Sequence, residues 1–124
     1  DRRGWDRVQL EADVLALFEL RGKSWNKKVF DLGSGGMSIV FNKTEHFRGE
    51  IQEKVENVKI KVGEKTAYCE CTIVNILQLK PYMLENCPYG GTRVSFKFDN
   101  LGSDSKDFLE KILFSHIGLL KDLS

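Results

Sequence analysis

The 124-residue sequence predicts an all-β dominated domain, a six-stranded antiparallel β-barrel with a C-terminal α-helix packed on it. Three observations carry this. Apolar and polar residues alternate over several runs, most cleanly in Val8–Leu20 and Thr92–Phe98, the period-two mark of strands with one buried face. Short turns, most of them carrying glycine, separate the runs at hairpin spacing. The tail alone, from Phe108 onward, changes to a helical period.

Taken in order, Val8, Leu10, Ala12, Val14, Ala16, Phe18 and Leu20 form one face of the first strand, with Gln9, Glu11, Asp13 and Glu19 opposite. Leu15 and Leu17 interrupt the polar face, so a covering element is expected there. Arg21–Ser24 reads as a turn. Lys27–Phe30 is a second strand that runs into Asp31-Leu32-Gly33-Ser34-Gly35-Gly36, and alternation resumes at Met37, Ile39 and Phe41. That glycine-dense stretch is therefore the connection of a tight hairpin. Asn42–Gln52 shows no strong period and is read as loop. Val58, Ile60 and Val62 alternate with lysines up to the Gly63-Glu64-Lys65 turn. The next strand places Ala67, Cys69, Cys71, Ile73, Asn75 and Leu77 on one face, and its Ile73–Leu77 section is apolar on both. Beyond the turn-rich Pro81–Gly91, Thr92, Val94, Phe96 and Phe98 face inward, with Arg93, Ser95 and Lys97 outward. An outward Arg93 extends the basic surface or is simply solvated. After the Ser103-Asp104-Ser105 capping cluster, Phe108, Leu109, Ile112, Leu113, His116 and Leu120 recur at helical spacing. This helix is the expected cover for Leu15, Leu17, Val74 and Ile76.

Composition narrows the function classes. With 41% hydrophobic and 30% charged residues, the chain is one globular domain rather than a disordered tail. A net charge of +1 offers no broad basic field for long nucleic acid. No run approaches the roughly twenty apolar residues of a membrane span, and no signal peptide is visible. A cytoplasmic location is expected. The three cysteines are an odd number, and no second Cys/His pair accompanies Cys69 and Cys71, so buried free thiols are expected instead of a disulfide framework or a metal site. His46 and His116 read as structural. Neither a nucleophile–base set nor paired carboxylates nor a P-loop has recognisable spacing, so no enzyme is expected. Because the chain starts at Asp1 without Met, it is expected to be part of a longer protein. Residues 1–7 are read as a flexible basic arm and residues 8–124 as barrel plus helix.

Two segments ask for more than a structural reading. Arg2-Arg3-Gly4-Trp5-Asp6-Arg7 carries three guanidiniums, the groups suited to bidentate capture of phosphate and of the guanine O6/N7 edge. In Asp31–Gly36, a carboxylate that can accept from guanine N–H groups precedes glycines that let backbone approach a ligand closely. In order and strand context the two resemble the signature of the PilZ family, bacterial receptor domains for cyclic di-GMP. Arg3 and Arg7 fit its R-x-x-x-R segment. Asp31, Gly33 and Gly36 fall on its D/N-x-S-x-x-G segment, with Gly33 at the serine position and Ser34 one residue late.

The resemblance implies a ligand, cyclic di-GMP, and no further cofactor. Arg3 and Arg7 would reach guanine edges or phosphates, and Asp31 would accept from N1–H and N2–H. The Gly33–Gly36 backbone would lie against the ligand, with Ser34 offering a hydroxyl from the neighbouring position. Arg2 would contact the second molecule of an intercalated ligand dimer. Trp5 either stacks on a purine or pins the arm to the barrel. Ordering of the arm would signal to a partner domain or protein, in control of motility, adhesion or biofilm exopolysaccharide. Two other readings stay open. One is a ligand-free PilZ-like protein-interaction module, which Gly33 favours and Arg3, Arg7, Asp31 and Gly36 oppose. The other is an oligonucleotide-binding barrel, which would want outward aromatic platforms, whereas Phe18, Phe96 and Phe98 fall on inward positions.

Overall fold

The computed structural model describes residues 7–9, 14–33, 35–84, 87–101, 105–108 and 110–111. Seven strands are present: β1 Arg7–Gln9, β2 Val14–Leu20, β3 Lys23–Gly33, β4 Gly36–Asn42, β5 Lys54–Val62, β6 Lys65–Leu79 and β7 Gly91–Leu101. Their order is β1-β3-β2-β5-β6-β7-β4, and a further β3–β4 pairing closes β2 to β7 into a six-stranded antiparallel barrel. The predicted fold class is what forms. The run expected as one strand over Val8–Leu20 is two segments. β1 and β2 both pair with β3, and residues 10–13 between them lie outside the described residues.

Turn chemistry explains the hairpins. Leu20 pairs with Lys23 across Arg21-Gly22, whose φ angles of 53° and 78° suit the right-handed twist of the flanking strands. Val62 pairs with Lys65 across Gly63-Glu64, where Gly63 takes φ 62°. Inside the barrel, alternation delivers Val14, Ala16, Phe18 and Leu20 from β2 and Val94 and Phe96 from β7. Phe18 meets Phe96 edge to face at 5.6 Å, and Trp25, Phe41 and Phe47 form a second aromatic cluster.

Closing six strands into a small barrel requires local bending, which bulges supply. They also explain where simple alternation fails. On β5, Val55 pairs with Cys71 and Val58 with Cys69, so Glu56 and Asn57 share one partner position. Asn57 adopts φ 56°, a left-handed conformation that Asn tolerates better than most residues. Both Val55 and Val58 are thereby buried despite opposite parity, and the strand begins at Lys54, earlier than the lysine alternation indicated. On β6 the register slips at Val74. Ile76, opposite buried Val94, takes the core-packed place, while Asn75 and Leu77, expected on the Ile73 face, are exposed.

Residues 105–108 and 110–111 are helical. Phe108 packs partly buried against the core, and the Tyr68 N–H donates to the Ser105 hydroxyl at 3.2 Å. Leu15, Leu17 and Ile76 are half-buried, but Val74 is 38% exposed. The side chains expected to complete the cover, from Leu109 and Ile112 to Leu120, lie outside the described residues. In the connection read as loop, Lys43–Glu45 forms a 3-10 turn. Glu45 accepts from Lys27 Nζ at 2.7 Å and from the Asn42 N–H at 2.7 Å, tying this turn to β3 and β4.

Two predictions follow from packing and charge. An alanine Cβ at Gly91 would lie 2.1 Å from the Phe41 carbonyl oxygen, whereas one at Gly35 would meet nothing within 4 Å. Gly91→Ala is expected to lose about 3 kcal/mol or more in urea denaturation, and Gly35→Ala less than about 0.5 kcal/mol. Burial raises the Glu45 pKa, but the Lys27 and Asn42 hydrogen bonds and the charges of Lys27 and Lys23 outweigh it, leaving it below the ordinary 4.5. A depressed carboxylate pKa contributes stability that is fully present above the unfolded value and lost as pH falls through the folded one. Unfolding free energies measured from neutral pH down to below 4.5 should therefore decline less steeply in Glu45→Gln than in wild type.

Candidate functional site

β3 carries the site because its C-terminal half is paired on both edges. On one edge, β1 sets Arg7 opposite Gly33, Val8 opposite Leu32 and Gln9 opposite Asp31. On the other, β4 sets Ile39 opposite Val29, Ser38 opposite Asp31 and Met37 opposite Leu32. Opposed Cα atoms in antiparallel strands lie about 4.5–5.5 Å apart, so the backbone of Arg7 lies directly beside the glycine turn. Arg7, Asp31, Gly33 and Gly36 are thus brought to one place. Arg2, Arg3, Trp5 and Ser34 lie outside the described residues, and Arg7 is placed by its backbone.

The register shift between Val29 and Asp31 leaves Phe30 as an extra residue of β3. Val29 and Leu32 both enter the core across this bulge, and Asp31 comes to lie opposite Ser38. Asp31 is only 7% exposed, and a carboxylate so buried requires a charged or hydrogen-bonding partner. Arg93 supplies one, with Nη2 2.5 Å from Asp31 Oδ2. The same guanidinium donates from Nε to the fully buried Ser38 hydroxyl at 3.3 Å and lies 5.0 Å over the Phe30 ring. The turn itself is fastened to β7. Phe98 N–H donates to the Gly35 carbonyl at 2.9 Å, and Gly36 pairs with Lys97. Gly35 is exposed, with open space where a side chain would stand.

Arg93, expected either to extend the basic surface or to be solvated, is instead half-buried and engaged with Asp31 and Ser38. Its residue type and outward parity were visible, but its partners come from two distant strands. Ser38 went unrecognised for the same reason, since a lone serine between Met37 and Ile39 reads as an ordinary solvent-facing position.

Other features lie elsewhere. A groove of about 410 Å³, lined by Asn42, His46, Phe47, Leu79, Tyr89 and Thr92 among others, sits where Asn42 pairs with Gly91, at the opposite end of β4 from the turn. Cys69 and Cys71 are buried on one face with their sulfurs 3.8 Å apart, and Cys87 is buried as well. His46 is an exposed residue ending the 3-10 turn, whereas His116 lies outside the described residues. Among the described residues, no helix is long and apolar enough to cross a membrane, and no cluster of three or more His, Cys, Asp or Glu side chains could hold a metal ion.

No protein-family model matches the sequence, and no curated protein matches it. Solved structures do match. The PilZ domain of YcgR from Escherichia coli, with c-di-GMP, superposes with a TM-score of 0.73 at 18% identity, over 94% of this chain and 92% of that one. The K. pneumonia MrkH–c-di-GMP complex gives 0.76 at 16% identity, over 95% of this chain and 53% of that one. The Bacillus subtilis inhibitor of motility (MotI/DgrA) gives 0.67 at 10% identity, over 89% and 48%. The chain thus has the PilZ-domain fold, and it spans about half the length of MrkH and MotI.

Removing the Asp31 carboxylate would take from the half-buried Arg93 guanidinium its charged partner. Asp31→Ala is expected to cost about 1–3 kcal/mol of stability, read from urea denaturation.

Proposed function

We propose that this domain is a receptor for cyclic di-GMP, binding it between the N-terminal arginine arm and the Asp31–Gly36 turn. One observation carries the reading. The β1–β3 register sets Arg7 opposite Gly33, in the same strand pair as the buried Asp31. Arg7, the last residue of the basic arm, and the Asp31 carboxylate thereby belong to one strand pair. Two of the structures with this fold are described as containing c-di-GMP, which supports the choice of ligand.

In this reading Arg3 and Arg7 take guanine edges or phosphate oxygens, where Arg is stronger and more directional than Lys. Asp31 accepts from a guanine N1–H and N2–H, and Gly33 and Gly36 let the turn lie close to the ligand. Ser34 offers a hydroxyl, and Arg2 contacts a second, intercalated molecule. Fixing a basic arm against a dianion changes the surface beside the turn, an order–disorder switch read by a linked domain or a protein partner. The domain is thus a receptor and not an enzyme, and one that works in the cytoplasm. Gly33 favours a second reading, an interaction module with a degenerate nucleotide site, because it lacks the serine hydroxyl of the PilZ pattern.

Calorimetric titration with cyclic di-GMP, beside GTP and cyclic di-AMP, tests this. Wild type should bind cyclic di-GMP selectively at micromolar or tighter affinity, and Arg3→Ala/Arg7→Ala should lose it. One hydrogen bond to a charged ligand contributes about 1.5–3 kcal/mol, so Gly33→Ser should tighten binding by roughly ten- to a hundredfold. Two ligands per domain in wild type and one in Arg2→Leu would support the dimer role. Absence of heat in wild type with recovery in Gly33→Ser would establish the degenerate module, and absence in both would sink the nucleotide reading.

A further inference from the structure

Resting on the receptor reading, we infer that Arg93 is a positioning residue that sets guanine selectivity by holding the Asp31 carboxylate. Three contacts fix the Arg93 guanidinium. Nη2 is 2.5 Å from Asp31 Oδ2, Nε donates to Ser38 Oγ at 3.3 Å, and the Phe30 ring lies beneath at 5.0 Å. The planar fork of Arg is suited to this, because one rigid group meets two partners at set angles and stacks on a ring face. Each partner is itself held. Ser38 is fully buried in β4, Phe30 is the bulged residue of β3, and Asp31 is paired on both sides through Gln9 and Ser38.

The consequence concerns which base the site reads. A guanine offers N1–H and N2–H as two adjacent donors, and a carboxylate reads both when its plane is aligned with them. Adenine presents no such donor pair on that edge. The bond from Arg93 is made to one carboxylate oxygen, Oδ2, and so fixes the plane of the Asp31 carboxylate. The cation also neutralises Asp31, which would otherwise repel the phosphates of an approaching dianion. Arg93 stands on β7, far in sequence from both motif segments, so neither motif reveals this role.

The test titrates the whole chain with cyclic di-GMP and cyclic di-AMP, in wild type, Arg93→Met, Asp31→Asn and the double variant. Arg93→Met should weaken cyclic di-GMP binding by about ten- to a hundredfold. In the Asp31→Asn background its further effect should stay below about threefold, because the two act as one unit. Arg93→Lys keeps a cation beside Asp31 and preserves the fold, shown by an unchanged circular dichroism spectrum. It should still lose about tenfold of the guanine-over-adenine preference, since a single ammonium cannot replace the fork. A residue with a merely structural role would shift stability and leave that preference alone. Unchanged selectivity in both Arg93 variants, or equal losses with and without Asp31, would overturn the assignment to Arg93 while leaving the receptor reading intact. Failure of wild type to bind cyclic di-GMP would overturn the receptor reading, and this inference with it.

Discussion

Closure of the barrel at β3 is the constraint on which the rest depends. One strand must pair with β2 along its first half, then with β1 and β4 along its second. A flat strand could not serve these partners in a ring this small, and the bulge at Phe30 supplies the bend. Its energetic return is apolar, since Val29 and Leu32 are both fully buried across it. Its chemical by-product is the placement of Asp31 opposite Ser38, in reach of Arg93.

A buried carboxylate beside a guanidinium adds little net stability, because desolvation of the two charges consumes most of their attraction. The pair does better as a device for geometry. Asp31 cannot swing toward solvent without giving up the Arg93 bond, and Arg93 cannot leave without giving up both Asp31 and Ser38. In the proposed receptor, this fixed acceptor beside the exposed Gly35 would read a base edge while arginines take the phosphates.

Much of the fold was legible in advance. Val14, Ala16, Phe18 and Leu20 alternate because one face of β2 must be dry, and Arg21-Gly22 and Gly63-Glu64 mark hairpins because glycine tolerates left-handed backbone at small cost. The change to a helical period near Phe108 was legible for the same local reason, whereas the order of strands, with β2 beside β5 and β4 beside β7, was not. Alternation misled where bulges intervene. At Glu56–Asn57 and at Val74 an extra residue reverses parity, and nothing in the identity of those residues announces it.

The candidate site divides along the same line. Residue chemistry, together with the resemblance to the PilZ signature, marked Arg3, Arg7, Asp31 and Gly36 as candidate ligand groups, since guanidiniums, a carboxylate and glycines have their properties whatever surrounds them. That Arg7 lies against Gly33, that Asp31 is buried, and that Arg93 joins it to Ser38 were decided by the tertiary structure. The reason is physical. A side chain's partners in a closed sheet are set by the registers of strands far apart in the chain, and those registers depend on how many bulges the ring needs to close.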